Sequence, residues 1–157
     1  MRLSEYLEPE LVLLDLRTHG IEDTIAALVD HLAEAGRVDR PEAVRDALVQ
    51  REASHTTSLG NGVALPHTTV SGLDRPLLVV AVAPEGVGFG PAADEAQPPD
   101  RLFFLLLSPI DQAGTHIKLL ARIVRLVRSP TFVESLVQAD SGTALVREVE
   151  REDALHV

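Results

Sequence analysis

Two of the six histidines stand in settings where an imidazole could attack phosphorus or bind an anion. His67 follows a glycine-bearing turn, a brief apolar run and Pro66, which restricts the local backbone. Gly60 and Gly62 permit close backbone approach and can turn amide N–H groups toward an anion. This setting suits a nucleophile or a phosphate acceptor. A histidine at the end of a strand can also be a surface residue that is simply hydrogen-bonded.

The other candidate residues have ordinary explanations when each is taken alone. His116 shares the core-facing stripe of a predicted helix with Leu119, so it could be a satisfied histidine at the edge of the core. Arg51 falls near the end of a predicted helix, where the helix dipole favours a cation, and Glu52 beside it could be a solvated carboxylate. The hydroxyl of Thr57 could donate to a bound phosphate. The combination of these residues favours a phosphate-related site.

Several other chemistries lack the residues that they need. The chain has no cysteine, which excludes disulfides, thiolate nucleophiles and thiolate metal sites. Metal-binding spacings such as HExxH, nucleotide-cradling loops such as GxxxxGK[ST] or GxGxxG, and the GxSxG elbow of serine hydrolases are all missing. We therefore expect no metal and no cofactor, and a histidine is the remaining candidate nucleophile.

Composition narrows the class of partner. The 157 residues include 24 acidic and 14 basic side chains, a formal net charge of −10, which repels phosphate backbones and anionic membrane surfaces. Apolar runs stay far below the roughly 20 residues that span a bilayer, and the N-terminus is acidic where a signal peptide is apolar. We expect a soluble cytoplasmic protein with one domain over residues 1–157, no nucleic-acid partner and no membrane insertion.

The elements that must position these residues follow from apolar patterns and stop signals. Short apolar runs bounded by turn residues predict strands at 11–16, 62–66, 76–82 and 102–107. Helical spacing predicts helices at 21–35, from 41 to about 52 with Asp39 as the cap, 111–127, from Ser129 and Pro130 onward, and 141–151. The stretch 84–100 reads as a turn, a short strand near 87–89 and an irregular loop.

The two longest strands are apolar on successive residues, the pattern of strands covered on both faces. Helices are available for both sides, but their order is not a regular alternation of strand and helix. The sequence therefore predicts an α/β fold in which a single mixed β-sheet is flanked by helices on both faces. His67 is then expected at the end of a buried strand, and His116 in the first turns of the long helix.

Taken together, four sequence blocks resemble the IIA domains of the bacterial phosphoenolpyruvate-dependent phosphotransferase system (PTS), of the mannitol/fructose and nitrogen-regulatory type. The blocks are Arg51-Glu52, the run 57–67 from Thr57 to His67, the run 103–109 ending in Ser-Pro, and His116 followed by the Leu-Leu-Ala of 119–121. They keep the order and spacing of the family, and the resemblance covers nearly the whole chain.

The resemblance implies a phosphotransferase with a transient phosphohistidine and no cofactor. His67 would accept a phosphoryl group from the phosphorylated carrier HPr and pass it to a IIB protein or domain. His116 would be the second active-site histidine, and Arg51 the cation matched to the phosphate. The phosphate would also be bound by the loop residues Thr57, Gly60, Asn61 and Gly62.

Two features depart from the family pattern. Ser58 stands where the family usually has glycine, so a positive φ there would be strained unless the turn differs. The loop 94–99 replaces the usual aspartate-glycine pair, which bears on partner docking.

Two alternatives to sugar transport stay open at this point. One is a nitrogen-regulatory protein whose phosphorylation switches its binding to kinases, channels or transcription factors. The other is a scaffold that never takes phosphate.

Overall fold

Five strands form one mixed sheet in a computed structural model that describes residues 1–89 and 98–156. The strands are β1 (Val12–Leu13), β2 (Val63–Ala64), β3 (His67–Val70), β4 (Leu77–Val87) and β5 (Asp100–Pro109). β4 and β5 are antiparallel and fully buried over most of their length. β1 lies parallel to β4, while β2 and β3 lie one after the other along the free edge of β5, also parallel to it.

Five α-helices among the described residues cover this sheet. They are α1 (Gly20–Glu34), α2 (Pro41–Ser54), α3 (Ala113–Leu126), α4 (Pro130–Val137) and α5 (Gly142–Ala154). Three short 3₁₀ turns, Leu3–Tyr6, Pro9–Leu11 and Ile110–Gln112, precede β1 and α3. None of the helices that the structure describes is long and apolar enough to cross a bilayer.

Alternate side chains of β4 and β5 pack into two separate hydrophobic cores, one on each face of the sheet. Phe103 packs on one face with residues of α1 and α2, and Phe104 on the other face with residues of α3, α4 and α5. Strand geometry requires this alternation because successive side chains point to opposite faces. The prediction of a mixed sheet with helices on both faces is confirmed.

The structure corrects one prediction that concerns the site. His67 does not end a buried strand, because it begins a new strand, β3, after a break at Pro66. The Pro66 carbonyl still accepts a hydrogen bond from the Leu106 N–H at 3.0 Å, so the chain continues along β5. Thr68 and Thr69, which follow, are β-branched and suit a strand.

Other boundaries also differ from expectation. β1 is only two residues long, α2 is capped by Arg40 rather than Asp39, and β4 runs through Pro84 to Val87. Pro84 is tolerated because the register with β5 shifts between Val82 and Val87. The departure noted in the loop at 94–97 lies outside the described residues.

A buried carboxylate fastens the N-terminus to the helical layer. Asp153 on α5 accepts hydrogen bonds from the backbone N–H groups of Leu3 at 3.1 Å and Ser4 at 2.8 Å. Arg122 on α3 completes the cluster with a 2.8 Å ion pair to the same carboxylate. Burial raises the pKa of Asp153, but these hydrogen bonds outweigh it and hold the pKa below its usual value.

We expect Asp153→Ala to lower the free energy of unfolding by about 3 to 5 kcal/mol, because it leaves Arg122 buried without its partner. A pKa lowered by folding stabilises the fold above the unfolded-state pKa of about 3.9, and this contribution is lost as pH falls further. The deficit should therefore be constant near neutral pH and shrink below about pH 4. Urea titrations across pH measure it. Glu148→Gln, which breaks the exposed pair with Arg151, is the control and should cost under about 1 kcal/mol.

Candidate active site

The ring of His67 is held by its Nδ1 atom. This atom lies 2.7 Å from the Leu65 carbonyl oxygen, which can only accept, so Nδ1 must carry a proton and donate it. The side chain is half-buried at the start of β3. In the neutral ring, the lone pair is therefore on Nε2.

Arg51 independently requires the same tautomer. Its Nη2 lies 2.9 Å and its Nε 3.2 Å from Nε2 of His67, and a guanidinium can only donate. Arg51 is in the last turn of α2, the position at which a cation is favoured, and its side chain is exposed. The site thus contains an unprotonated imidazole nitrogen that faces a permanent, solvent-exposed cation.

His116 completes the group. Its ring centroid lies 5.6 Å from that of His67, at an interplanar angle of 45°. The side chain is buried in α3, and its Nδ1 lies 2.6 Å from the hydroxyl of Ser108 on β5. The structure therefore brings together the three residues expected to act on a phosphoryl group, His67, His116 and Arg51.

The pKa values of His67 and His116 are both lowered, which favours the neutral form of each ring. Burial lowers the pKa of His67, and the Arg51 guanidinium lowers it further, while the hydrogen bond to the Leu65 carbonyl opposes both. Burial also lowers the pKa of His116, with added repulsion from His67 and Arg51. A neutral imidazole is the form that can act as a nucleophile.

The loop before His67 is a tight hairpin. Ser58 bridges Ala64 in antiparallel fashion, and Gly60 and Gly62 both have a φ of +83°, which L side chains rarely adopt. The side-chain amide of Asn61 donates to the Val127 carbonyl at the end of α3. The side chain of Asn61 is therefore anchored to the C-terminal end of α3. Among the described residues, the backbone N–H groups of residues 60–62 have no acceptor.

Two buried carboxylates stabilise this hairpin through hydrogen bonds. Glu52 accepts hydrogen bonds from the backbone N–H and the hydroxyl of Thr57, and Asp100 accepts from the hydroxyl of Ser58 at 2.8 Å. Burial raises the pKa of Glu52, and the Thr57 hydrogen bonds lower it only in part. Burial also raises the pKa of Asp100. The hydroxyl of Thr57 is thus used by Glu52, which makes it a structural contact in the unphosphorylated protein.

Two points that the sequence left open in this region are now decided. Glu52 is not a solvated carboxylate, since only 5% of it is exposed. Ser58 does not take a strained conformation, because no described residue other than glycine has a positive φ. The hydroxyl of Ser58 instead donates to Asp100, a contact that stabilises the turn without glycine at this position. No motif in the sequence links these two positions.

Sequence reasoning also missed Ser108, the hydrogen-bond partner of His116. It reads as the end of an apolar run before Pro109, and the only signal was a hydroxyl in an otherwise apolar strand. Within residues 1–89 and 98–156, no group of three or more His, Asp or Glu side chains is arranged to hold a metal ion.

Comparisons with known proteins show which family this chain is similar to. The chain matches the family model described as "Phosphoenolpyruvate-dependent sugar phosphotransferase system, EIIA 2" over residues 5–152. It is 32% identical over 132 residues to the PTS system fructose-specific EIIA component of Haloferax volcanii, covering 84% of each chain. It is 34% identical over 146 residues to the nitrogen regulatory protein of Bradyrhizobium diazoefficiens, covering 92% of each.

A solved structure shares the fold at lower identity. The crystal structure of the nitrogen regulatory protein IIA-Ntr from Neisseria meningitidis superposes with a TM-score of 0.82 at 24% identity. The superposition covers 94% of this chain and 98% of that one. The mixed sheet and its two helical layers are therefore an arrangement already seen in this group of proteins.

Proposed function

Since the chain belongs to the EIIA 2 family of the phosphoenolpyruvate-dependent sugar phosphotransferase system, we propose that it carries phosphoryl groups on Nε2 of His67. It is a IIA component and thus a phosphotransfer carrier. The observation that supports Nε2 as the phosphorylated atom is the tautomer of His67, in which Nδ1 carries the proton and Nε2 carries the lone pair. Residues 1–157 form one IIA domain, which acts in the cytoplasm.

In the accepting step, Nε2 of His67 attacks the phosphorus of a phosphohistidine on the donor. The Nε2–P bond forms as the P–N bond of the donor breaks, and the electron pair of the broken bond stays on the donor nitrogen. The Nδ1 proton remains on its hydrogen bond to the Leu65 carbonyl, which stabilises the positive charge that the ring acquires. With Nδ1 already protonated, the ring also leaves as neutral imidazole when the group is passed on.

Arg51 has two duties in this step. In the free protein, the Nε and Nη2 groups of Arg51 donate hydrogen bonds to the lone pair of His67 Nε2. These hydrogen bonds must break before phosphorus can approach Nε2. Its exposed side chain can turn to the equatorial oxygens, where the planar guanidinium binds phosphate at two points. Stabilising these oxygens is the main task in phosphoryl transfer. The backbone N–H groups of Gly60, Asn61 and Gly62 are further donors for the same oxygens.

Proteins are the partners that such a site suits. Leu59 on the hairpin and Ile117 beside His116 are 40% and 66% exposed, so apolar side chains accompany the reactive ring at the surface. We infer that phosphorylated HPr is the donor and a IIB protein or domain the acceptor. No metal or nucleotide takes part in this mechanism.

Transfer to IIB separates the transport function from its alternative. We expect the protein, once phosphorylated through phosphoenolpyruvate, Enzyme I and HPr, to transfer its phosphoryl group to a fructose-type IIB protein. A pulse-chase of radiolabelled protein with IIB measures this step. A phosphorylated protein that no IIB protein can discharge favours a regulator, the second candidate function that the 34% identity to the nitrogen regulatory protein supports.

A further inference from the structure

Ser108 and His116 form a buried pair next to the reactive histidine. Ser108 is fully buried, and only 9% of His116 is exposed. Leu106, two residues before Ser108 on β5, packs in the core on the side of α3. Because residues two apart on a strand share a face, Ser108 also points to α3, and its hydroxyl meets Nδ1 of His116 at 2.6 Å.

The direction of this hydrogen bond follows from what surrounds the hydroxyl. Among the described residues, the Ser108 hydroxyl has no partner other than Nδ1 of His116. If Nδ1 carried the proton, the hydroxyl hydrogen would be left without an acceptor in a buried site, which is costly. If Ser108 donates, only lone pairs of its oxygen stay unused, which proteins tolerate more readily. The hydroxyl is therefore the donor, and Nδ1 is the acceptor.

We propose that Ser108 is a positioning residue that holds His116 in the tautomer with its proton on Nε2. The proposal rests on the proposed function, in which His67 carries the phosphoryl group, and it assigns to His116 a hydrogen bond to that group. The two rings then have opposite tautomers. His67 presents the bare Nε2 that takes phosphorus, and His116 presents an Nε2–H that can donate to a phosphoryl oxygen.

The neutral state of His116 makes this control necessary. A protonated imidazole donates from both nitrogens, so its tautomer would not need to be set. Burial and the neighbouring His67 and Arg51 lower the pKa of His116, which favours the neutral ring at physiological pH. A neutral ring with its proton on Nδ1 would turn a lone pair toward the negatively charged phosphoryl oxygens.

Long-range proton–nitrogen NMR spectra of the unphosphorylated protein test the proposal directly. We expect the wild-type spectrum to show His116 with its proton on Nε2, and Ser108→Ala to shift it toward the other tautomer. Ser108→Thr keeps the hydroxyl and suits a strand, so it should restore the wild-type pattern. A wild-type His116 protonated on Nδ1 would overturn the proposal, whether or not the variants fold. An unchanged tautomer in folded Ser108→Ala would overturn it as well.

Kinetics give a second readout that a merely structural role would not move. We expect Ser108→Ala to slow phosphoryl acceptance about three- to tenfold near neutral pH, the effect of one lost hydrogen bond. The ratio of wild-type to variant rate should shrink as pH falls, because protonated His116 donates from Nε2 without help. A ratio independent of pH would contradict the proposal. A wild-type protein that takes no phosphoryl group would instead refute the proposed function and leave the tautomer result standing.

Discussion

Replacing His67 by alanine should abolish phosphoryl acceptance while the fold persists. The variant lacks the nucleophile, and neither Arg51 nor His116 can replace it, because a guanidinium has no lone pair to offer and the lone pair of His116, on Nδ1, is bound to the buried Ser108 hydroxyl. His67 is half-buried at the first position of the short strand β3, so we expect a loss of about 1 kcal/mol in stability. Intact mass after incubation with phosphoenolpyruvate, Enzyme I and HPr measures acceptance.

His19→Ala is the matched control for this experiment. His19 is exposed at the start of α1, and its side chain makes no capping hydrogen bond. It should take phosphate at the wild-type rate. Normal phosphorylation of His67→Ala would move the acceptor to another residue and refute the assignment of this site.

Replacing Arg51 by alanine should slow acceptance about 10- to 100-fold, the worth of hydrogen bonds from a charged donor expressed as a rate. The loss has two causes. The variant lacks the cation for the phosphoryl oxygens, and it lacks the guanidinium charge that adds to the effect of burial in lowering the pKa of His67. The pKa of His67 should therefore rise, so the protonated, unreactive ring is reached at a higher pH than in the wild type.

Quench-flow measurements of acceptance between pH 5.5 and 8, about one unit or more to either side of an ordinary histidine pKa, record both effects. Arg45→Ala, on the same helix, is the control and should leave the rate unchanged. Arg51→Lys keeps the charge without the planar fork, so its rate should fall between those of alanine and wild type. A rate in Arg51→Ala equal to the wild-type rate would contradict the role of this residue.

The sheet and the helical layers on its two faces could be predicted, because short apolar runs indicate buried strands and helical periodicity indicates amphipathic helices. The runs at 76–82 and 102–107 became the centres of β4 and β5, and helical periodicity placed α1 within one residue at each end. The strand that begins directly after Pro66 was harder to predict. Proline signals the end of a hydrogen-bonded ladder, but β5 supplies a second length of edge on which the chain resumes as β3.

The three reactive residues could be located in the sequence, but their relation could not. His67, His116 and Arg51 come from a strand, a helix and the end of another helix, and only tertiary packing brings them together. The Leu65 carbonyl, which sets the tautomer, has no sequence signature at all. Glu52 and Asp100 could not be predicted to be buried, because the hydroxyls of Thr57 and Ser58 that donate to their carboxylates are brought to them only by the folding of the chain.

The most direct test of the account locates the phosphoryl group on the wild-type protein. The protein is phosphorylated with phosphoenolpyruvate, Enzyme I and HPr, its intact mass is recorded before and after acid treatment, and long-range proton–nitrogen spectra identify the modified nitrogen. We expect one acid-labile phosphoryl group, bonded to Nε2 of His67, with Nδ1 still protonated. A phosphoryl group on Nδ1 or on another residue, or an unmodified protein with an active donor system, would contradict the proposed function.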